Sequence, residues 1–243
     1  MLISAGMNLM RRLPPRDTER SIAAISSCVI DDEQRALFEE KVDQPLEQGE
    51  DEAEGKPYLL CENNRDGDCY RSPWSNQYFP NVSESGEAPQ IYPSDELRDM
   101  EKRANAIFAR YAKLYYDENF VTSVYFFDID GSDSSRHGFG SAWLVKKQGA
   151  AAKNVEDAMW DATHVVTTSV DEANGKAKYR VNSAVFFQLD ANNEEGYGQL
   201  DCGCSVLAVK EETFSIDSIE LATGDLIGFH IKKIGRMIED NEG

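Results

Sequence analysis

The chain has 243 residues, 41% of them hydrophobic, enough to bury a core in one large domain or two small ones. Lys and Arg number 25 against 44 Asp and Glu, a formal charge of −19, so the averaged field repels nucleic acid and anionic lipid and disfavours a polyanion-binding role. Cys28, Cys61, Cys69, Cys202 and Cys204 are an odd number in a chain too long to need disulfide staples, which fits a reducing compartment, and no stretch approaches the roughly 20 apolar residues of a membrane span. Met1 to Gly6 lacks the basic start and long apolar core of a secretion signal, so the sequence reads as soluble and unsecreted.

In chain order, residues 1–46 read as three short helices. Leu9 and Leu13 lie one turn apart before Pro14-Pro15, which ends the first because proline lacks an amide donor. Asp17 or Thr18 caps a second carrying Ile22, Ile25 and Val29 on one stripe, and Asp31 with Gln34 resembles a capping box opening a third with Leu37 and Phe38. Helices this short are marginal alone and must bury their stripes against each other or a partner. Gln48 to Gly55 is acidic and reads as a solvated loop. Lys56 to Pro93 reads as irregular but pinned by burial of Tyr58, Tyr70, Trp74, Tyr78 and Phe79.

Ser94 to Asp117 reads as a helix, capped by Ser94 or Asp95, with Leu97 and Met100 and then Ile107, Phe108, Tyr111 and Leu114 along one face. The period then changes. Val124 to Phe127, Gly140 to Val145, His164 to Val170, Ala177 to Leu189 and Cys202 to Val209 are β-branched and aromatic runs separated by polar turns such as Asp171 to Gly175. Lys176, Lys178 and Arg180 alternate with Ala177, Tyr179 and Val181, a strand with one wet face, and only Lys153 to Trp160 is long enough for an intervening helix. Hairpin-linked strands make an antiparallel sheet. From Asp217 the chain is helical again, with a seam at Ile227, Ile231, Ile234 and Ile238 that needs the sheet as its partner. The fold class is therefore α+β. Its segments are a helical stalk over 1–46, an aromatic-rich segment plus helix over 47–118, the sheet over 119–213 and the start of a C-terminal helix over 214–243.

Several motifs invite chemistry. Asp128 and Asp130 in the run Val124 to Gly131 sit two apart at a strand end, the spacing by which haloacid dehalogenase-type phosphatases share magnesium and phosphate; that architecture needs parallel strands, and the following elements read as hairpins. Asn64 to Asp68 suggests part of a calcium loop, but counting from Asp66 the twelfth position is Gln77, which cannot supply the closing bidentate carboxylate, so a turn held by Asp66 and Asp68 is preferred. Cys202 and Cys204 have no second Cys/His pair among His137, His164 and His230 to complete a zinc site and read as buried thiols. Gly138-Phe139-Gly140 lacks the third glycine of a dinucleotide loop and reads as a strand entry, and no Gly-x-Ser-x-Gly elbow is present. The basic pairs Lys146-Lys147 and Lys232-Lys233 stand out on an acidic body. The residues alone thus lead to a binding module without metal or cofactor, with a magnesium-dependent phosphatase and a generic scaffold as alternatives.

Longer runs carry a resemblance. Asn8-Leu9-Met10-Arg11-Arg12-Leu13-Pro14-Pro15, Val42-Asp43-Gln44-Pro45-Leu46, Tyr58-Leu59-Leu60-Cys61 and Asn63-Asn64-Arg65-Asp66-Gly67-Asp68-Cys69-Tyr70-Arg71-Ser72-Pro73-Trp74-Ser75-Asn76 appear in order, followed by Ser123-Val124-Tyr125, His164-Val165-Val166 and Ile234-Gly235-Arg236. From residue 7 to 241 the chain resembles the beta-subunit family of actin capping protein. The resemblance implies a cytoplasmic, cytoskeletal protein with no active site, in obligate pairing with a similarly folded alpha subunit. In that pairing the N-terminal helices form a stalk and the sheets join beneath long antiparallel helices. The pair would block subunit exchange at the barbed end of the actin filament.

In that family the final helix continues into a mobile amphipathic arm that lies on actin, whereas this sequence stops at Gly243, a helix cut short. The resemblance then leaves the actin contact mainly to the alpha partner and to basic groups here, for which Lys232, Lys233 and Arg236 are the candidates. Basic regulatory peptides wrap around the stalk of the family, which by position implicates Arg12, Asp43 and Glu62, the last standing where the family has Asp. The segment Gly131 to Arg136 and the acidic run Gln48 to Gly55 look lineage-specific.

Overall fold

The structure, a computed structural model, describes residues 45–80, 92–116, 120–129, 138–148, 157–191, 200–216 and 226–242. Outside the described residues lie the expected helical segment 1–46 except for Pro45 and Leu46, residues 81–91 and 153–156, the segment Gly131 to Arg136, and the candidates Arg12, Asp43 and Asp130.

Five long strands form one antiparallel sheet in sequential order: β6 (Phe120–Asp128), β7 (Gly138–Gln148), β8 (Asp157–Asp171), β9 (Lys176–Ala191) and β10 (Leu200–Ser215). Each run of β-branched and aromatic residues read from the sequence falls inside one of them, because alternate side chains can be buried on one face while the backbone pairs on both sides. Ala177, Tyr179 and Val181 are buried between the exposed Lys176 and Lys178 and the half-buried Arg180, the wet-faced alternation expected. The turn from β8 to β9 closes where the Asp171 carboxylate accepts the Asn174 amide at 3.2 Å and Gly175 takes φ +57°, a left-handed conformation natural to glycine. Gly140 has a different reason: a Cβ there would lie 1.9 Å from the Phe127 ring across the β6–β7 pair. Of Lys153 to Trp160, the length read as room for an intervening helix, the described residues Asp157 to Trp160 belong to β8 instead.

Two helices pack on one face. Helix α1 (Asp95–Tyr116) begins at Ser94, whose hydroxyl accepts the Leu97 amide at 3.4 Å. It buries Leu97, Met100, Ala104, Phe108 and Ala112. Ile107 and Leu114, expected on that face, point away and are 50% and 84% exposed, because the buried stripe runs through the small Ala104 and Ala112, which let the helix approach the sheet closely. Helix α2 (Leu226–Glu242) lays Ile231, Ile234 and Ile238 on the sheet, and Phe229, His230 and Met237 widen that seam. Trp143, Phe126, Phe139 and Tyr179 fill the space between the layers, where each fully buried side chain contributes about 1.5–3 kcal/mol.

Segment 45–80 covers the other face beneath β6 and β7. Gln48 to Gly55 is not a solvated loop: β1 (Gln48–Asp51) and β2 (Lys56–Leu59) form a hairpin, and Leu59 packs with Tyr125, Ala142 and Leu144. Nor is the stretch after it irregular as far as Pro80, the end of its described part before residue 92. A 3-10 turn (Glu62–Asn64) leads into a small sheet of β3 (Arg65–Asp66), β4 (Cys69–Arg71) and β5 (Tyr78–Phe79), with Tyr58 and Tyr78 buried as expected. The Arg65 guanidinium holds the β3–β4 turn, donating to the Gly67 carbonyl at 2.9 Å and lying 3.7 Å from Asp68. That is the work the sequence assigned to Asp66 and Asp68.

Candidate functional site

The basic candidates sit on α2. Lys232 and Arg236 are exposed and four residues apart, hence stacked on one face. Lys233 leaves them: its ammonium lies 4.5 Å from the Phe214 ring centroid and 5.3 Å from that of Phe229, a cation–π position that holds it against the end of β10. The structure therefore brings two of the three basic groups together. Past them, Asp240 receives a hydrogen bond from Lys210 at 2.8 Å, which holds its carboxyl below the usual range, with a smaller contribution from Arg236.

Glu62 opens the 3-10 turn, half-buried, and pairs with Arg65 at 3.0 Å. Asp128 ends β6 exposed, and every strand pairing in its sheet is antiparallel. That geometry does not build the parallel strand edge on which an Asp-x-Asp phosphatase depends. Cys61 and Cys69 are free thiols, and desolvation pushes the Cys61 sulfur up to about 12, so it is an inert packing group.

The two edges of the sheet differ. On β6, the outer edge is occupied by α1 side chains. Asn105 Oδ1 accepts the Val124 amide at 2.9 Å and its Nδ2 donates to the Val124 carbonyl at 2.8 Å. Glu101 Oε2 accepts the Phe126 amide at 2.9 Å. Backbone groups of a strand point alternately to either side, so Val124 and Phe126 present theirs away from β7. Carrying that alternation through the registers of β7, β8 and β9, the outward groups of β10 belong to the odd positions, including Val209 and Glu211. Among the described residues no strand pairs with that outer edge, and Val209 is 56% exposed beside it.

Buried polar groups hold these parts in register. Arg71 forks onto Glu101 through two 2.8 Å bonds, and Arg98 also pairs with Glu101 while donating to the carbonyls of Pro73 at 2.8 Å and Trp74 at 2.7 Å. Burial alone would weaken the Arg71 proton affinity, but the Glu101 charge and hydrogen bond reverse this and raise it. Asp51, fully buried, accepts from the amides of Ala53, Glu54 and Ser75 and from the Ser72 hydroxyl. On the underside of the sheet, Lys146 and Asp161 are register partners on β7 and β8. Lys146 donates to the Leu46 carbonyl, and Asp161 accepts the Leu46 amide at 2.9 Å, so both backbone groups of one residue, Leu46, are held by the sheet.

The sequence reading missed these groups. Their signal was present: Glu101 and Asn105 fall at i+4 and i+8 from Leu97, inside the apolar stripe of α1, and a polar residue at such a position must have a buried partner. Asp51 gave no comparable signal, because it stands in an acidic run like its solvated neighbours.

Comparison with known proteins bears on what these surfaces serve. The family model described as "F-actin capping protein, beta subunit" matches residues 3–243. The F-actin-capping protein subunit beta of Drosophila melanogaster is 36% identical over 242 residues, covering 100% of this chain and 79% of that protein. That of Caenorhabditis elegans is 37% identical over 99% of this chain and 80% of its own length, and that of Arabidopsis thaliana 35% over 99% and 86%. Among solved structures, the homodimeric actin capping protein alpha subunit from Plasmodium berghei superposes with a TM-score of 0.52 over 99% of this chain and 90% of that one, at 14% identity, a likeness of fold.

Proposed function

Because the chain belongs to the F-actin capping protein beta-subunit family, we propose that it forms a heterodimer with an alpha subunit and that the pair binds the barbed end of actin filaments and blocks subunit exchange there. The observation that carries this reading is the family match over residues 3–243, on a chain whose sheet has one edge occupied by side chains and, among the described residues, no strand paired with the other. The alpha subunit continues the sheet by pairing with β10, and residues 1–46 form the beta half of a helical stalk, so that segments 1–46, 47–118, 119–213 and 214–243 are one unit completed by the partner. Its role is steric and needs no catalytic group, metal or cofactor, and its place is the cytoplasmic cytoskeleton.

Actin meets the exposed face of α2 through Lys232 and Arg236, with Lys233 in support. Actin is acidic, and cations at the rim of an interface chiefly raise the association rate. Basic regulatory peptides are taken by Arg12, Asp43 and Glu62, the positions that the family resemblance implicates.

Co-expression with an alpha subunit tests the pairing. A stable 1:1 complex is expected, and Val209→Pro, which removes an outward amide of β10 without breaking the β9 ladder, is expected to prevent it. A complex that forms equally well with proline at 209 contradicts pairing along that edge. For the peptide site, replacing Asp43 and Glu62 by Ala should weaken binding of a basic regulatory peptide at low salt, and unchanged affinity refutes that assignment.

A further inference from the structure

A strand at the edge of a sheet is a template for any other strand, and a chain with two open edges polymerises or pairs in the wrong order. This chain ends its sheet at β6 with side chains. The Asn105 amide meets both hydrogen-bonding groups of Val124 at 2.9 and 2.8 Å, as the peptide of a neighbouring strand would, and Glu101 takes the next outward amide, that of Phe126. Both side chains are themselves fixed. Asn105 Nδ2 also donates to the Glu101 carbonyl one helical turn back at 2.8 Å, and the Glu101 carboxylate is clasped by Arg71 and Arg98. Exposures of 1% for Asn105 and 0% for Glu101 show that water does not compete for these bonds. Helix propensity and packing explain neither residue, since an apolar side chain at 101 or 105 would continue the stripe of Leu97, Met100, Ala104 and Phe108.

We propose that Asn105 and Glu101 act as a surrogate strand that terminates the sheet at β6 and so directs strand addition to β10 alone. The inference rests on the reading of β10 as the partner-binding edge. It makes Asn105 a specificity-determining residue: it does not touch the partner but removes the competing site at which a second alpha subunit, or a second copy of this chain, would add.

The test uses the co-expressed heterodimer and the variant Asn105→Leu, which has the same number and branching of side-chain heavy atoms but cannot pair with Val124. Amide hydrogen exchange and sedimentation over a range of concentrations are the readouts. In the variant the Val124 amide should exchange at least tenfold faster while the central amides of β8 and β9 keep their rates, and species of about twice the heterodimer mass should appear as concentration rises. Acceleration shared equally by β8 and β9, an unchanged Val124 rate, or a single heterodimer mass at every concentration overturns the proposal. If the variant fails to fold, the unaltered heterodimer decides. Its Val124 amide should be as slow as those of the inner strands, and exchange at the rate of an open edge rejects the seal. Val209→Pro reports on β10 and Asn105→Leu on β6, so failure of the partner reading and failure of the seal are told apart.

Discussion

Arg71 on β4 and Glu101 on α1 face each other in the interior, joined by two 2.8 Å bonds, with side chains 3% and 0% exposed. This fork ties segment 45–80 to the helical layer, and through the Glu101 bond to the Phe126 amide it also fixes the edge of the sheet. Breaking a buried pair by removing one partner costs about 3–5 kcal/mol, because the other charge stays behind uncompensated. Arg98 still pairs with Glu101 when Arg71 is replaced, so Arg71→Met should lower the unfolding free energy of the assembled protein, measured by urea denaturation, by the lower end of that range, about 3 kcal/mol, while Lys102→Met, removing an exposed partner of Asp99, should leave it within about 0.5 kcal/mol.

Asp51 predicts a pH dependence. Burial raises its carboxyl, but hydrogen bonds from Ser72, Ser75 and Glu54 together outweigh this, and the net shift is downward. A carboxyl lowered in the folded state contributes stability that is present above its unfolded value, near about 4, and lost as pH falls through the lower folded value. Asp51→Asn should cost about 3 kcal/mol at neutral pH and flatten the loss of stability on acidification, as measured by urea unfolding from about pH 7 to 3. Equal pH slopes in the two proteins would contradict this role.

The grip of Lys146 and Asp161 on Leu46 carries the opposite sign. Burial raises the Asp161 carboxyl, with the Leu46 amide and Lys146 offsetting only part of it. The folded state thus holds this proton more tightly than the unfolded chain, and the Asp161 contribution declines as pH rises from the ordinary carboxylate value through the raised one. Lys146→Met should speed exchange of the Leu46 amide about tenfold, equivalent to about 1.4 kcal/mol of local opening, without changing exchange in β9.

On α2, the geometry separates three neighbouring cations. Lys232→Glu with Arg236→Glu should slow barbed-end association about tenfold and reduce its salt dependence. Lys233→Glu should act mainly on stability, since its ammonium is set against Phe214 and Phe229. An equal loss of association rate in Lys233→Glu would show that position within the helix face does not matter.

The long periodic elements were legible from the residues because one physical requirement, burial of one face, writes itself into the spacing. That holds for the seam Ile231, Ile234 and Ile238 and for the alternation around Tyr179. Ile107 and Leu114 misled because apolar residues spaced to line one helix face were taken to mark the buried one, whereas the stripe that packs includes two alanines and two polar residues. The first strand of the hairpin at Gln48 was hidden for the converse reason: its own residues carry no apolar pattern and are held by pairing with β2 and by a single buried carboxylate, Asp51. The run Asn63 to Asn76 was recognisable by resemblance, and the structure supplies its physical content. Asn64 donates to the Arg71 carbonyl at 2.9 Å, Arg71 and Ser72 join the Glu101 and Asp51 networks, and Asn76 accepts from Arg71 at 2.7 Å.

Filament growth tests the central claim most directly. Elongation from barbed ends of preformed actin seeds is followed with the purified heterodimer of this chain and its alpha subunit added in increasing amounts. Elongation should fall to the rate of pointed-end growth alone, and Val209→Pro, which cannot complete the dimer, should leave it unaffected. Seeds that elongate at full rate with saturating intact heterodimer would contradict the account.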